Sequence, residues 1–319
     1  MKKLQICILG GTGFVGRHLV NRLTADGHRL RVLTRRRERH RPLTVNPLVT
    51  LIEADIHDEA SLQRHFLNAD VIINLVGILN QSSRDHGSFR NIHVDLSRKV
   101  IQAATQTGAS RLLHMSALNA SPDEDKSLYL RTKGEAEDLV HSAEGLAVTS
   151  FRPSVIFGAD DSFFNRFATL LKLSPLFFPL ACPDSRFAPV YVVDVAEAFA
   201  RSLADDGTIG RRLELCGPEI FTLKELVEYT GKLTGRKCMI TGLSPSLSRF
   251  QARVFQHLPG RPFTMDNYHS LQKDSVCRHS CLEDMGIHPA SIASIIPASL
   301  GSDSRHHRYA RFRRHSRRS

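Results

Sequence analysis

The sequence predicts an α/β fold built on a doubly wound parallel sheet, followed by a smaller C-terminal lobe and a disordered basic tail. Three observations predict it. An apolar run, Leu4-Gln5-Ile6-Cys7-Ile8-Leu9, leads straight into Gly10-Gly11-Thr12-Gly13-Phe14-Val15-Gly16. Short apolar runs then alternate with amphipathic stretches as far as residue 151, the pattern of parallel strands joined by crossover helices. Finally, residues 305–319 carry seven arginines and no acid, a composition that cannot bury enough apolar surface to hold a fixed structure.

The elements follow in order. Residues 4–9 read as a buried strand and 14–25 as the helix after it, so the glycines fall at a strand-to-helix turn. Gly10 and Gly13 let the backbone turn tightly and approach a pyrophosphate, Thr12, Phe14 and Val15 sit where unpaired helix-start amides meet its charge, and Gly16 permits close helix packing. That order of elements makes the sheet Rossmann-type. Residues 29–34 read as the second strand, 48–54 as the third, 59–67 as a helix, 71–76 as the fourth strand, 94–104 as a helix and 111–115 as the fifth strand. A helix over 127–143 and a strand over 146–151 complete the series. Beyond Pro153 prolines and phenylalanines take over, with regular structure returning at 188–203, at the strand 212–216 and at the helix 222–233. The expected division is a nucleotide-binding domain over 1–155, to which 188–216 return, a substrate or partner lobe over 156–187 and 217–300, and the tail over 301–319.

The second strand bears on which dinucleotide is bound. It is followed by Arg35, Arg36 and Arg37, where readers of a ribose hydroxyl carry an acid. Guanidinium forks suit a 2′-phosphate instead, so NADPH is expected over NADH, with Arg35 first and Arg36 beside it. A solvated arginine loop is the plainer alternative. At the ends of strands three and four, Asp55 and Ile56, and Val76 and Gly77, are placed to line the adenine and the dinucleotide spine. Asp55 reads equally well as a helix cap.

Ser116 closes the fifth strand, and Tyr129 and Lys133 lie four apart on one face of the next helix. A lysine ammonium beside a phenol draws the phenol's pKa down from about 10, fitting it to give or take a proton, while Ser116 holds the substrate oxygen. Asn91 is a candidate to support Lys133 through a water.

The chain has 319 residues, 41% hydrophobic and 24% charged, with a formal charge of +11. The charge is concentrated: residues 29–41 carry seven arginines against Glu38, and 305–319 seven more. The remainder is close to neutral, which argues against a nucleic-acid-binding face and leaves no specific nucleic acid as partner. Six scattered cysteines read as reduced thiols of a cytoplasmic protein. Cys277, His279, Cys281 and His288 match no zinc spacing, so no metal is expected. No export signal and no bilayer-spanning stretch is evident. Leu247, Phe250, Val254, Phe255 and Leu258 recur at helical spacing; such stripes most often face the protein's own core, though with Arg249, Arg253 and the tail they also suit peripheral attachment to the inner face of the cytoplasmic membrane. The apolar segment 173–182 fits a greasy substrate or partner surface and a core equally.

With these motifs assembled, the chain resembles an extended or atypical short-chain dehydrogenase/reductase over roughly residues 4–285. The resemblance rests on GGTGFVG at residues 10–16, YLRTK at 129–133, RPSVIFG at 152–158 and PVYVVDVAEA at 189–198. It implies Ser116, Tyr129 and Lys133 as reaction residues and adds Pro153 as a nucleotide contact. Within that superfamily, HMSALNA at 114–120 and DSFFNRF at 161–167 are most similar to the NADPH-binding accessory subunit of respiratory complex I and its bacterial relatives. That implies a tightly held NADPH beside a membrane-associated respiratory or quinone-related assembly, serving structure more than turnover in mitochondrial members. An active NADPH-dependent oxidoreductase on a small or lipid-like carbonyl is the alternative. The short 116–129 segment departs from sugar-nucleotide epimerases, and the lack of an import peptide favours a bacterial relative.

Overall fold

The computed structural model describes residues 2–81, 87–174, 176–236 and 238–300; the expected tail lies outside them. The chain divides into two compact units. The first comprises Met1–Pro153, Val193–Leu215 and Cys277–Ile287, and the second the segments between and after.

In the first unit β1 (Gln5–Leu9), α1 (Phe14–Ala25), β2 (Arg29–Thr34), β3 (Val49–Glu53), α2 (Glu59–Phe66), β4 (Val71–Asn74), α3 (Leu96–Thr107), β5 (Arg111–Met115), α4 (Leu128–His141) and β6 (Ala147–Pro153) follow in turn. With the strand Arg212–Leu215 they form one seven-stranded sheet in the order Arg212–Leu215, β6, β5, β4, β1, β2, β3, every pairing parallel. The strands are apolar on both faces because helices cover both. On one face Ile72, Leu112 and Val148 pack with Leu62 and Phe66 of α2 and Val100, Ala103 and Ala104 of α3, each large side chain contributing about 2 kcal/mol by leaving water. Strand order reverses between β4 and β2 on either side of β1, and a parallel sheet opens a ligand crevice at such a point, outside the carboxyl ends of its strands.

Two features were not foreseen. A wide turn of π-helix, Arg90–Asp95, precedes α3. Residues Cys277–Ile287 also join the first unit, where Leu282 is fully buried and Arg201 Nη1 donates to the Met285 carbonyl at 2.6 Å.

The second unit gathers α5 (Phe163–Leu173), the helix Leu223–Leu233, started by a capping box of Thr222 and Glu225, and three two-stranded pairings. Its core is Phe157, Phe164, Leu171, Phe187, Leu226 and Ile296. The helix Pro245–Phe255 corrects one expectation. It buries Ser248 and Ala252, while Leu247, Phe250, Val254 and Leu258 are 54, 64, 43 and 44% exposed; only Phe255 of the stripe is half-buried. The reason is polar anchoring of the opposite side, where Ser248 Oγ accepts from the Cys182 amide at 3.2 Å. In the 173–182 segment Leu173, Leu176 and Phe177 are exposed, whereas Leu180 and Cys182 are buried.

The cysteines are not uniformly reduced. Cys7, Cys182, Cys238 and Cys281 are free, but Cys216 and Cys277 are disulfide-bonded, which linear spacing does not announce. Among the described residues no helix is long and apolar enough to cross a membrane.

Candidate active site

The proposed site lies wholly within the first unit. Gly13 is the N-cap of α1 and supplies no side-chain cap, so the first amides of the helix are left for an outside acceptor. Gly10 has φ +79°, and a Cβ there would stand 3.1 Å from the Leu75 carbonyl carbon, so the turn lies against the exit of β4. At Gly16 a Cβ would fall 2.4 Å from the Gly10 oxygen; only glycine lets α1 start this close to β1. Thr12, Phe14 and Val15 are half-buried around the turn, which has no acid in the helix's first turn to repel a phosphate.

At the end of β2, Thr34 is buried and Arg35, Arg36 and Arg37 are exposed. The Arg37 amide donates to Glu53 Oε2 at 3.0 Å and Arg41 pairs with Glu38, whereas the guanidinium groups of Arg35 and Arg36 have no partner among the described residues. Past β3, the cap of α2 is Asp58, accepting from the Ala60 and Ser61 amides. Asp55 is therefore not the helix cap; its Oδ1 accepts from the His57 amide at 2.8 Å and the carboxylate stays exposed. Ile56 and Val76 rest half-buried against the same core cluster, and Asn74 Oδ1 accepts from the Val76 amide at 3.1 Å, fixing the turn that leads to Gly77.

Gly77 joins this turn to the candidate reaction residues. A Cβ there would come 3.1 Å from Lys133 Nζ and 3.8 Å from His93 Nε2. Lys133 Nζ donates to the Met115 carbonyl at 2.9 Å; burial lowers its pKa to about 8, opposed by the Glu137 carboxylate. One turn earlier on α4, Tyr129 is half-buried and meets Phe89 and His93 edge-on at 5.8 and 5.7 Å between ring centres. Ser116, whose amide bonds the Phe151 carbonyl at 2.8 Å, is 3% exposed. Its Oγ is buried with no hydrogen-bond partner. A hydroxyl so placed asks for a further oxygen to bond, which is the fit expected of a substrate-holding group. Pro153 ends β6, with its carbonyl accepting from the Leu118 amide at 3.1 Å.

Two residues of this site escaped the sequence. One is His93, which meets Tyr129 and lies near Lys133 across from Gly77. Its Nε2 accepts from the Ile78 amide at 3.3 Å, so Nδ1 carries the hydrogen and meets Thr132 Oγ1 at 2.9 Å. Burial first, then Lys133 and His114, hold His93 near pKa 2. His114 is fully buried with both ring nitrogens unpartnered, and burial, Lys133 and His141 hold it near 3. Isolated histidines carry no periodic signal; only the π-turn and the β5 register place them. Farther along α4, buried Glu137 takes both oxygens to Arg152 Nε at 3.0 and 2.9 Å.

A glycine-rich turn at the end of β1, an uncapped α1 and a Ser, Tyr and Lys set at β5 and α4 are now in one place, and a family model described as NAD dependent epimerase/dehydratase matches residues 6–216. The chain belongs to that family. Curated relatives include the mitochondrial NADH dehydrogenase [ubiquinone] 1 alpha subcomplex subunit 9 of Mus musculus, 28% identical over 295 residues, covering 89% of this chain and 76% of the relative. A ceramide reductase of Caulobacter vibrioides is 34% identical over 200 residues, 62% of this chain and 61% of the reductase. Among solved structures, an NADPH-dependent quinone oxidoreductase of Escherichia coli, complexed with NADPH, superposes with a TM-score of 0.72 at 20% identity, covering 91% of this chain and 97% of the other. That likeness is one of fold.

Proposed function

We propose that this chain is an NADP(H)-binding protein of the kind that serves respiratory complex I as an accessory subunit, holding its nucleotide in the first unit and engaging a respiratory or quinone-related assembly at the cytoplasmic face of its membrane. The observation that carries the nucleotide reading is the uncapped start of α1 beside the exit of β4, with the unpaired guanidinium groups of Arg35 and Arg36 at the end of β2. Backbone amides suit the pyrophosphate, Asp55, Ile56, Val76, Gly77 and Pro153 line the remainder, and the arginines suit a 2′-phosphate, favouring NADPH. The assembly role is supported by the mouse relative, by name a subunit of a mitochondrial NADH dehydrogenase [ubiquinone], which aligns over 89% of this chain.

A second reading, an active reductase of a carbonyl on a small or lipid-like substrate, is favoured by the orphaned Ser116 Oγ and by a relative named ceramide reductase. When bound, the reduced nicotinamide supplies hydride. Ser116 donates a hydrogen bond to the substrate oxygen, and Tyr129 gives that oxygen its phenolic proton. Lys133 stabilises the phenolate by charge. Gly77 keeps the space beside Lys133 open.

One experiment separates the two. Purified protein is loaded with NADPH and offered carbonyl and quinone candidates, with absorbance followed for the wild type and for Tyr129→Phe. Consumption lost by about 100-fold or more in the variant makes the chain a reductase. No consumption, with nucleotide retained equally by both forms, supports the accessory role.

A further inference from the structure

We propose that the second unit docks on an anionic phospholipid bilayer through the exposed stripe of the helix Pro245–Phe255. This goes beyond the nucleotide reading and stands whether or not that reading holds.

Leu247, Phe250, Val254 and Leu258 share one side of the helix and its C-terminal continuation, and all face solvent. The other side is already committed, with Ser248 and Ala252 buried, and on the flank of the stripe Gln251 Nε2 donates to the Pro179 carbonyl at 3.1 Å. The stripe is therefore not a core face awaiting a partner within its own unit. Contiguous exposed apolar surface is costly to leave in water and marks an interaction site.

A second exposed group lies on the elements this helix packs against. Phe177 and Met239 are register partners in neighbouring strands, and both are exposed, as are Leu173 and Leu176 just before them. The strand carrying Phe177 continues to Pro179 and Leu180, where Gln251 and the Leu243 amide attach.

Charge selects the occupant. Residues 162–183 and 232–265, which carry all eight of these apolar side chains, contain eight lysines and arginines and no aspartate or glutamate. Lys172, Arg236, Arg253 and Arg261 are exposed, while Arg249 turns back over the Tyr268 ring at 5.7 Å. Exposed apolar residues with exposed cations on the same segments fit the boundary between acyl chains and anionic headgroups, the acids Asp184 and Asp274 lying instead by Pro245 and Ser248 at the start of the helix. The same pattern disfavours a second copy of this chain, because pairing the face with itself would bring like charges together.

The test uses the full chain. Co-sedimentation is measured with phosphatidylcholine vesicles and with vesicles also containing phosphatidylglycerol, for the wild type, for the double substitution Phe250→Ser and Val254→Ser, and for a chain ending at residue 304. Wild type partitions onto the anionic vesicles only, and the double substitution weakens this at least about tenfold. Removing residues 305–319 leaves most of the binding. Equal partitioning of the double variant overturns the proposal, as does complete loss on removing the tail alone. A dimer in sedimentation velocity that the double substitution abolishes would also overturn it, since the face would then join two copies. The sequence has no tryptophan, so Phe250→Trp adds a sole reporter that does not depend on the serine variants folding. Its emission shifts to the blue and is quenched by brominated lipid when anionic vesicles are added; an unchanged spectrum contradicts the docking.

Discussion

His93 and His114 show how much of this site rests on single buried side chains. Both are held neutral by burial, near pKa 2 and 3, against about 6.5 in the unfolded chain. Below pH 6.5 the unfolded chain therefore binds protons that the folded chain refuses, and stability falls as pH drops toward those folded values. The loss per histidine is about 1.4 kcal/mol per pH unit within that window. Urea melts between pH 7 and 4 are expected to show this slope. His114→Phe, which keeps the bulk and removes a proton site, makes it flatter; an unchanged slope would mean that His114 is not held neutral. Lys133 works in the same direction at higher pH. With its folded pKa near 8 and an unfolded value near 10.4, its burial is a cost at neutral pH that is relieved as pH rises between the two. Arg35 and Arg36 give the residue-scale test of cofactor choice. Replacing both by alanine should weaken NADPH at least about tenfold and leave NADH nearly unchanged, because the lost groups address only the 2′-phosphate. Parallel fluorescence titrations read this, and equal weakening of both nucleotides would assign the arginines another role. The arginines, Ser116, Tyr129 and Lys133 are candidates that motif and spacing name. His93 is not among them, since its meaning comes from Thr132 and Ile78, which are distant in sequence.

The elements of the first unit were legible for a related reason. Strand β2 and helix α1 have the bounds read from periodicity, Arg29–Thr34 and Phe14–Ala25, because glycine or charged residues mark their ends. The helix read from periodicity begins at residue 94, inside the π-turn Arg90–Asp95, because one extra residue per turn breaks the apolar spacing ahead of it. In the second unit strands of two residues, such as Ile156–Phe157 and Val190–Tyr191, are too short to alternate at all. The 245–255 helix has the period of a core helix, and nothing in that period says which face is covered. At this scale the tightest joint is α1 against β1. Gly16→Ala places a Cβ 2.4 Å from the Gly10 oxygen, and the helix must move or the turn must open. A loss of about 3 kcal/mol is expected, together with loss of nucleotide binding. Thermal melts measure the first; a variant as stable as the wild type would show that the approach is looser than described.

Across the whole molecule, the chain leaves the first unit after Pro153, returns at Val193–Leu215 and returns again at Cys277–Ile287, the last through contacts such as Arg201 with Met285. A return this short, carrying little more than Cys281, Leu282 and Ile287 as buried side chains, has no compositional boundary to announce it. The family model spans residues 6–216, the stretch that carries the proposed nucleotide cradle and the candidate reaction residues. The exposed stripe lies beyond it, so the two units can be tested separately, one with nucleotide and one with lipid. The most direct test of the central claim is an equilibrium titration of the purified chain with NADPH and NADH. The account predicts saturable NADPH binding at least about tenfold tighter than NADH. Equal or tighter binding of NADH would contradict the arginine assignment, and no binding of either nucleotide would contradict the site itself.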